Sequence, residues 1–149
     1  MINLRKNELI HSIIHKTTSM NEIIRKINEL FEYKESIKKS KILKNKITEE
    51  LLYLGYDISH KGTQYLIKTI DYIATNPNKD LEKLERNIYP KIAYIYNDSV
   101  HNVKCRINNA TTIMYCNCEI EKLKKYFHFD IDTKPKVKTI INTIIRKIA

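Results

Sequence analysis

The sequence predicts an all-α protein: a multi-helix bundle containing a helix-turn-helix, preceded by an N-terminal helical segment that is a candidate dimerising device. Three observations carry this. Only two glycines, Gly55 and Gly62, occur in 149 residues, too few for a sheet that needs many tight reversals. Apolar residues return every three or four positions along most of the chain, the period of a helix face and not of a strand. The periodic runs are separated by short polar turns rich in capping residues or proline, such as Asn76-Pro77 and Tyr96-Asn97-Asp98-Ser99.

The first part, residues 1–46, carries Ile10, Ile13, Thr17, Met20, Ile24, Ile27 and Phe31 at alternating spacings of three and four. This is a heptad seam of about three repeats with one polar member. Ser19 with Glu22 three residues later forms a capping box. The segment is therefore either one long helix or two helices broken near Thr17–Ser19. Its stripe of Ile10, Ile13, Met20, Ile24, Ile27 and Phe31 needs cover, from the rest of the chain or from a second copy. A homodimer is favoured because helix-turn-helix proteins commonly use two-fold symmetry to reach two half-sites.

Charge is unevenly placed. The formal net charge is +10, and residues 1–46 hold eleven Lys/Arg against five Asp/Glu. Residues 47–118 balance at eight of each, and residues 119–149 hold eight against four. The densest cluster, Lys34, Lys38, Lys39, Lys41, Lys44 and Lys46, reads as a basic linker or a basic helix face leading into a second domain, residues 47–149. Such a balance points to an anionic partner.

That second domain reads as a series of helices. Thr48 to Leu54 is a short helix with Thr48 as a candidate cap and Gly55 as its stop. Ile58 to Gly62 connects to a helix from Thr63 to Ala74 with apolar positions Tyr65, Leu66, Ile70 and Ile73, and Leu81 to Asn87 is a further helix. Tyr89-Pro90 opens the next, burying Ile92, Ala93 and Ile95, with proline in the first turn where its missing N–H costs little. After the Tyr96–Ser99 turn, a helix from Ser99 to Tyr115 has a core stripe of Val100, Val103, Ile107, Ala110 and Met114.

The opposite face of that helix holds His101, Asn102, Lys104, Cys105, Asn108, Asn109 and Thr112. An ordinary solvated face carries Lys and Glu in i,i+4 pairs, and this one has no acid. Asn and His donate and accept toward base edges, and Asn pairs bidentately with adenine in the major groove. His101, Asn102, Lys104, Cys105, Asn108 and Asn109 are the candidate base-reading residues. Ser99 and Arg106 at its edges, with His60, Lys61 and Gly62 of the earlier connector, are candidates for the DNA backbone: Lys61 to neutralise a phosphate, Gly62 to allow close approach.

From Ile47 to Ile148 the sequence resembles the C-terminal effector domain of stage 0 sporulation protein A, the sporulation response regulator of Firmicutes. The resemblance is carried by His60-Lys61-Gly62, Gln64-Tyr65-Leu66, Tyr89-Pro90-Lys91-Ile92-Ala93, Tyr96-Asn97, Val103, Ile107, Ala110, Phe127 and Lys134-Pro135. It implies a helical bundle of about six helices with a helix-turn-helix that binds promoter DNA. Two departures stand out. Residues 1–46 are too short for the family's phosphorylated receiver domain, so control by phosphorylation is not expected, and the N-terminal helix takes its place as a dimerising or partner-binding device. The family's recognition helix reads Ser-Arg-Val-Glu-Arg-Ala-Ile-Arg-His-Ala, where this chain has His101-Asn102-Val103-Lys104-Cys105-Arg106-Ile107-Asn108-Asn109-Ala110. Loss of arginines that each contribute about 1–3 kcal/mol of discrimination at guanine predicts a changed, more A·T-tolerant site or weaker sequence specificity.

The expected function is a transcription regulator that binds double-stranded DNA as a homodimer, cytoplasmic and without cofactor or metal. The rival is an interaction protein that pairs with or antagonises a related transcription regulator through its N-terminal helices. No catalytic constellation is evident. His11 and His15 lack a third metal ligand, and Cys116-Asn117-Cys118 has no second pair. The Ile stripe of the C-terminal segment (Ile140, Ile141, Ile144, Ile145, Ile148) is read as a core or dimer face and not a membrane anchor.

Overall fold

The computed structural model describes residues 19–77, 83–128 and 133–149. Among these residues there are six α-helices and no strand: α1 Met20–Leu54, α2 Lys61–Thr75, α3 Tyr89–Tyr96, α4 Val100–Asn117, α5 Ile120–Phe127 and α6 Val137–Ile148, with a π-helical turn Leu84–Ile88 running into α3. No described helix is long and apolar enough to cross a membrane. By internal contacts the chain divides into two compact units, Met1–Ile42 and Leu43–Ala149.

In the first unit the described helix begins at Met20, directly after Ser19. The Ser19 carbonyl accepts the N–H groups of Glu22 at 2.9 Å and Ile23 at 3.3 Å. Ile10, Ile13 and Thr17, and the His11/His15 pair, lie outside the described residues. Met20, Ile24, Ile27 and Phe31 are all exposed.

The expected short helix at Thr48 is instead the C-terminal end of α1, which is 35 residues long. Residues 34–46 contain neither Gly nor Pro and are rich in Lys, a good helix former, so nothing interrupts the helix. Thr48 is not a cap: its hydroxyl donates to the Lys44 carbonyl one turn back, at 2.8 Å. The lysine cluster thus lies within a continuous helix and not on a linker. Gly55 stops α1 as expected, at φ +93°, with Tyr56 N–H returning to the Leu51 carbonyl at 3.0 Å.

The core of the second unit gathers Ile47, Leu51 and Leu54 of α1, Tyr65, Leu66 and Ile70 of α2, Ile92 of α3, Val103, Ile107 and Met114 of α4, Leu123 and Tyr126 of α5, and Ile140, Ile141 and Ile144 of α6. The C-terminal Ile stripe is therefore core. Two buried or half-buried hydroxyls are satisfied within it. Tyr56 donates to the Thr111 hydroxyl at 3.0 Å, since Thr111 itself donates to the Ile107 carbonyl. Tyr126 donates to Glu50 at 2.6 Å, joining α5 to α1. One expected core residue is not there: Ile95 is 50% exposed. The inward stripe of α3 is Tyr89, Ile92, Ala93 and Tyr96, and Ile95 sits between its rows on the outer side.

Candidate nucleic-acid interface

The α3–α4 pair is held by complementary caps. Asn97 ends α3 in the left-handed region at φ 49°, which asparagine tolerates, and Asp98 N–H returns to the Ala93 carbonyl at 2.9 Å. Ser99 then caps α4, its hydroxyl accepting from Asn102 N–H at 3.1 Å. Between the caps, Asp98 collects donors. Its carboxylate accepts from the Tyr65 hydroxyl at 2.6 Å, the Asn102 amide at 2.7 Å and Ser99 N–H at 2.8 Å. Arg106 Nε lies 3.6 Å away. The Tyr65, Asn102 and Ser99 hydrogen bonds hold the Asp98 carboxyl at a pKa of about 2. Burial, followed by that same bond, pushes the Tyr65 phenol up to about 12.

α2 lies along α4 at close range, and Gly62 explains why. A Cβ at Gly62 would collide with the Arg106 carbonyl oxygen, and would lie 2.6 Å from its carbon and 3.0 Å from Ala110 Cβ. Gly62 is buried, so the need for glycine here comes from helix packing and not from approach to a phosphate. His60 is the N-cap of α2, its Nδ1 accepting from Gly62 N–H at 3.3 Å. Lys61 is exposed, with Nζ 5.9 Å from the Tyr65 ring centroid.

The outward face of α4 is exposed at His101, Asn102, Lys104 and Asn109, and partly exposed at Cys105 and Asn108. Among the described residues the side chains of Asn108 and Asn109 make no hydrogen bond to the protein. His101 Nε2 and Cys105 Sγ touch at 3.5 Å, one turn apart. Lys104 is paired with Glu85 of the π turn at 2.7 Å. On the same edge, Lys134 donates to the Thr112 hydroxyl at 2.9 Å. Lys134, Lys136, Lys104, Asn108 and Glu85 border one cavity of about 310 Å³. Cys105, Cys116 and Cys118 are free thiols.

A family model described as the sporulation initiation factor Spo0A C terminal matches residues 47–148. The chain belongs to the Spo0A C-terminal family. It is a family of helical DNA-binding domains of sporulation transcription regulators, and its extent covers all of α2 to α6 and the last turns of α1.

Within this Spo0A-type domain the structure brings most of the sequence-derived candidates to one end of α4. It also shows that several have intramolecular work. Asn102 and Arg106 serve Asp98, Lys104 serves Glu85, Ser99 and His60 cap helices, and Gly62 is packed inside. His101, Cys105, Asn108 and Asn109 are left facing outward. Lys134 and Lys136 were missed by sequence reasoning. They lie far along the chain, and only the tertiary fold brings them beside α4; Lys134-Pro135 enters the sequence reading only through the resemblance. Helix α5 was also missed, being eight residues long with four of them charged.

Proposed function

We propose that this chain regulates transcription by binding duplex DNA through the outward face of α4, with a sequence preference of its own and without control by phosphorylation. The observation that carries the reading is the polar, acid-free face of α4, capped by Ser99 and held on the Spo0A-type scaffold. Asn108 and Asn109 are the base-reading residues, with His101, Cys105, Asn102 and Lys104 beside them. Lys61, Lys134 and Lys136 supply phosphate contacts and Arg106 a further one at the edge of Asp98. Affinity comes from the cations and is salt-dependent, while preference comes from the asparagines and leans to A·T. The protein acts as a homodimer through the Met20, Ile24, Ile27 and Phe31 seam, which reaches two half-sites, and works in the cytoplasm with the chromosome.

Selection of bound duplexes from a randomised pool tests this. Enrichment of a defined site is expected, and Lys104, Asn108 and Asn109 changed together to Glu abolish it. An unenriched pool, or unchanged selection by the triple variant, defeats the reading. The exposed seam of α1 also supports the second reading, a protein that pairs with a related regulator. In that case the triple variant keeps its regulatory effect and a Phe31→Glu variant loses it.

A further inference from the structure

We propose that α1 pairs with α1 of a second copy in antiparallel orientation, centred between Ile24 and Ile27. This rests on the homodimer reading above and fixes its geometry. The seam is defined by exposure and spacing. Met20 is 71% exposed, Ile24 50%, Ile27 41% and Phe31 64%, large apolar side chains spaced 4, 3, 4 on one stripe. This is a d, a, d, a pattern. The same spacing continues through Lys34, Lys38 and Lys41, all exposed, so the seam changes from apolar to cationic within one turn.

That change decides the orientation. In a parallel pair each seam residue meets its own copy, and Lys34, Lys38 and Lys41 face themselves across roughly 10 Å, the spacing of packed helices. That is about one Debye length at physiological salt, so the repulsion is only partly screened. In the antiparallel pair Met20 meets the partner's Phe31 and Ile24 meets the partner's Ile27. The two lysine clusters then fall at opposite ends, roughly 40 Å apart at 1.5 Å per residue, well beyond screening. The overlapping stretch is also nearly balanced, since residues 20–33 hold three acids (Glu22, Glu29, Glu32) and two bases (Arg25, Lys26). Helix dipoles oppose each other in the same arrangement.

Cross-linking in a chain freed of its own thiols (Cys105, Cys116 and Cys118→Ser) reads the orientation directly. Met20→Cys and Phe31→Cys chains, mixed and oxidised, are expected to give the mixed disulfide, with little self-linking of either. The same holds for Ile24→Cys with Ile27→Cys. Both pairs lie on an exposed face of α1, and an unchanged helical circular-dichroism signal verifies the fold. Dominant self-linked dimers overturn the antiparallel geometry, and a monomer mass for the unaltered chain overturns the pairing altogether. Duplex binding is measured separately on the unaltered chain, which keeps Cys105. Mixed disulfides with no DNA binding refute the DNA reading alone, and DNA binding with self-linked dimers refutes this inference alone.

Discussion

The Tyr65 hydroxyl donates to the Asp98 carboxylate at 2.6 Å and so ties the first turns of α2 to the turn that launches α4. The same carboxylate accepts from Asn102, so one residue of the outward face of α4 is held by an acid in the turn before it. Tyr65→Phe removes one donor and leaves the ring packed near Tyr96, whose centroid is 4.7 Å away. The thermal midpoint is expected to fall by a few degrees. Asp98 is anchored more strongly when charged, since its native pKa of about 2 lies below the ordinary 3.8. Its contribution is complete above about pH 3.8 and fades as pH falls toward 2. Acid unfolding followed by circular dichroism checks this: Asp98→Asn should lack that part of the acid limb, and an acid limb identical to the parent's would refute the role.

At alkaline pH the sign reverses. Burial raises the phenols of Tyr65 and Tyr89 to about 12, with Glu85 adding to the shift at Tyr89. Burial also raises Tyr56 and, with Glu50 close by, Tyr126. Each favours the neutral form in the folded state, so its contribution is whole below pH 10 and is lost as pH rises through the folded-state pKa. Tyrosinate absorbance and helicity, followed together, should show these four ionising with cooperative unfolding above pH 10. Ionisation of these four near pH 10 with helicity intact would contradict this.

Much of this was legible in sequence because it is local. The stripe Val103, Ile107, Ala110 and Met114, the Ser99 cap and the Gly55 stop follow from spacing and side-chain chemistry within a few residues. What was not legible depends on pairings across the chain. Nothing near Arg106 says that Gly62, more than forty positions earlier, must press against its carbonyl. Nothing near Lys104 names Glu85, and Lys134 reaches Thr112 only because α6 returns along the bundle. Thr48 misled for the opposite reason: a good capping residue does not start a helix that nothing upstream has ended.

Gly62 gives a sharp test of that long-range packing. A methyl group there meets backbone, which cannot rotate away, so Gly62→Ala should force α2 from α4. The cost belongs at or above the top of the ~1–3 kcal/mol seen for overpacked cores, and the thermal midpoint should fall by roughly 10 °C. A glycine needed only for approach to a phosphate would instead leave the midpoint unchanged and weaken DNA binding.

Glu85 offers the corresponding test of the surface proposed to face DNA. It pairs with Lys104 at 2.7 Å, and both side chains are substantially exposed, so the pair adds at most about 1 kcal/mol to stability. Its larger effect is to neutralise a cation on the face proposed to meet DNA. Glu85→Gln should leave the thermal midpoint nearly unchanged and raise affinity for any duplex several-fold. With one more phosphate contact, the slope of log affinity against log salt should steepen by about 1. Glu121→Gln is the control, because it breaks another exposed pair, with Lys124 at 3.8 Å, and changes net charge equally. Equal gains from both variants would mean that only total charge matters. A gain confined to Glu85→Gln would mean that Lys104 meets the backbone once released.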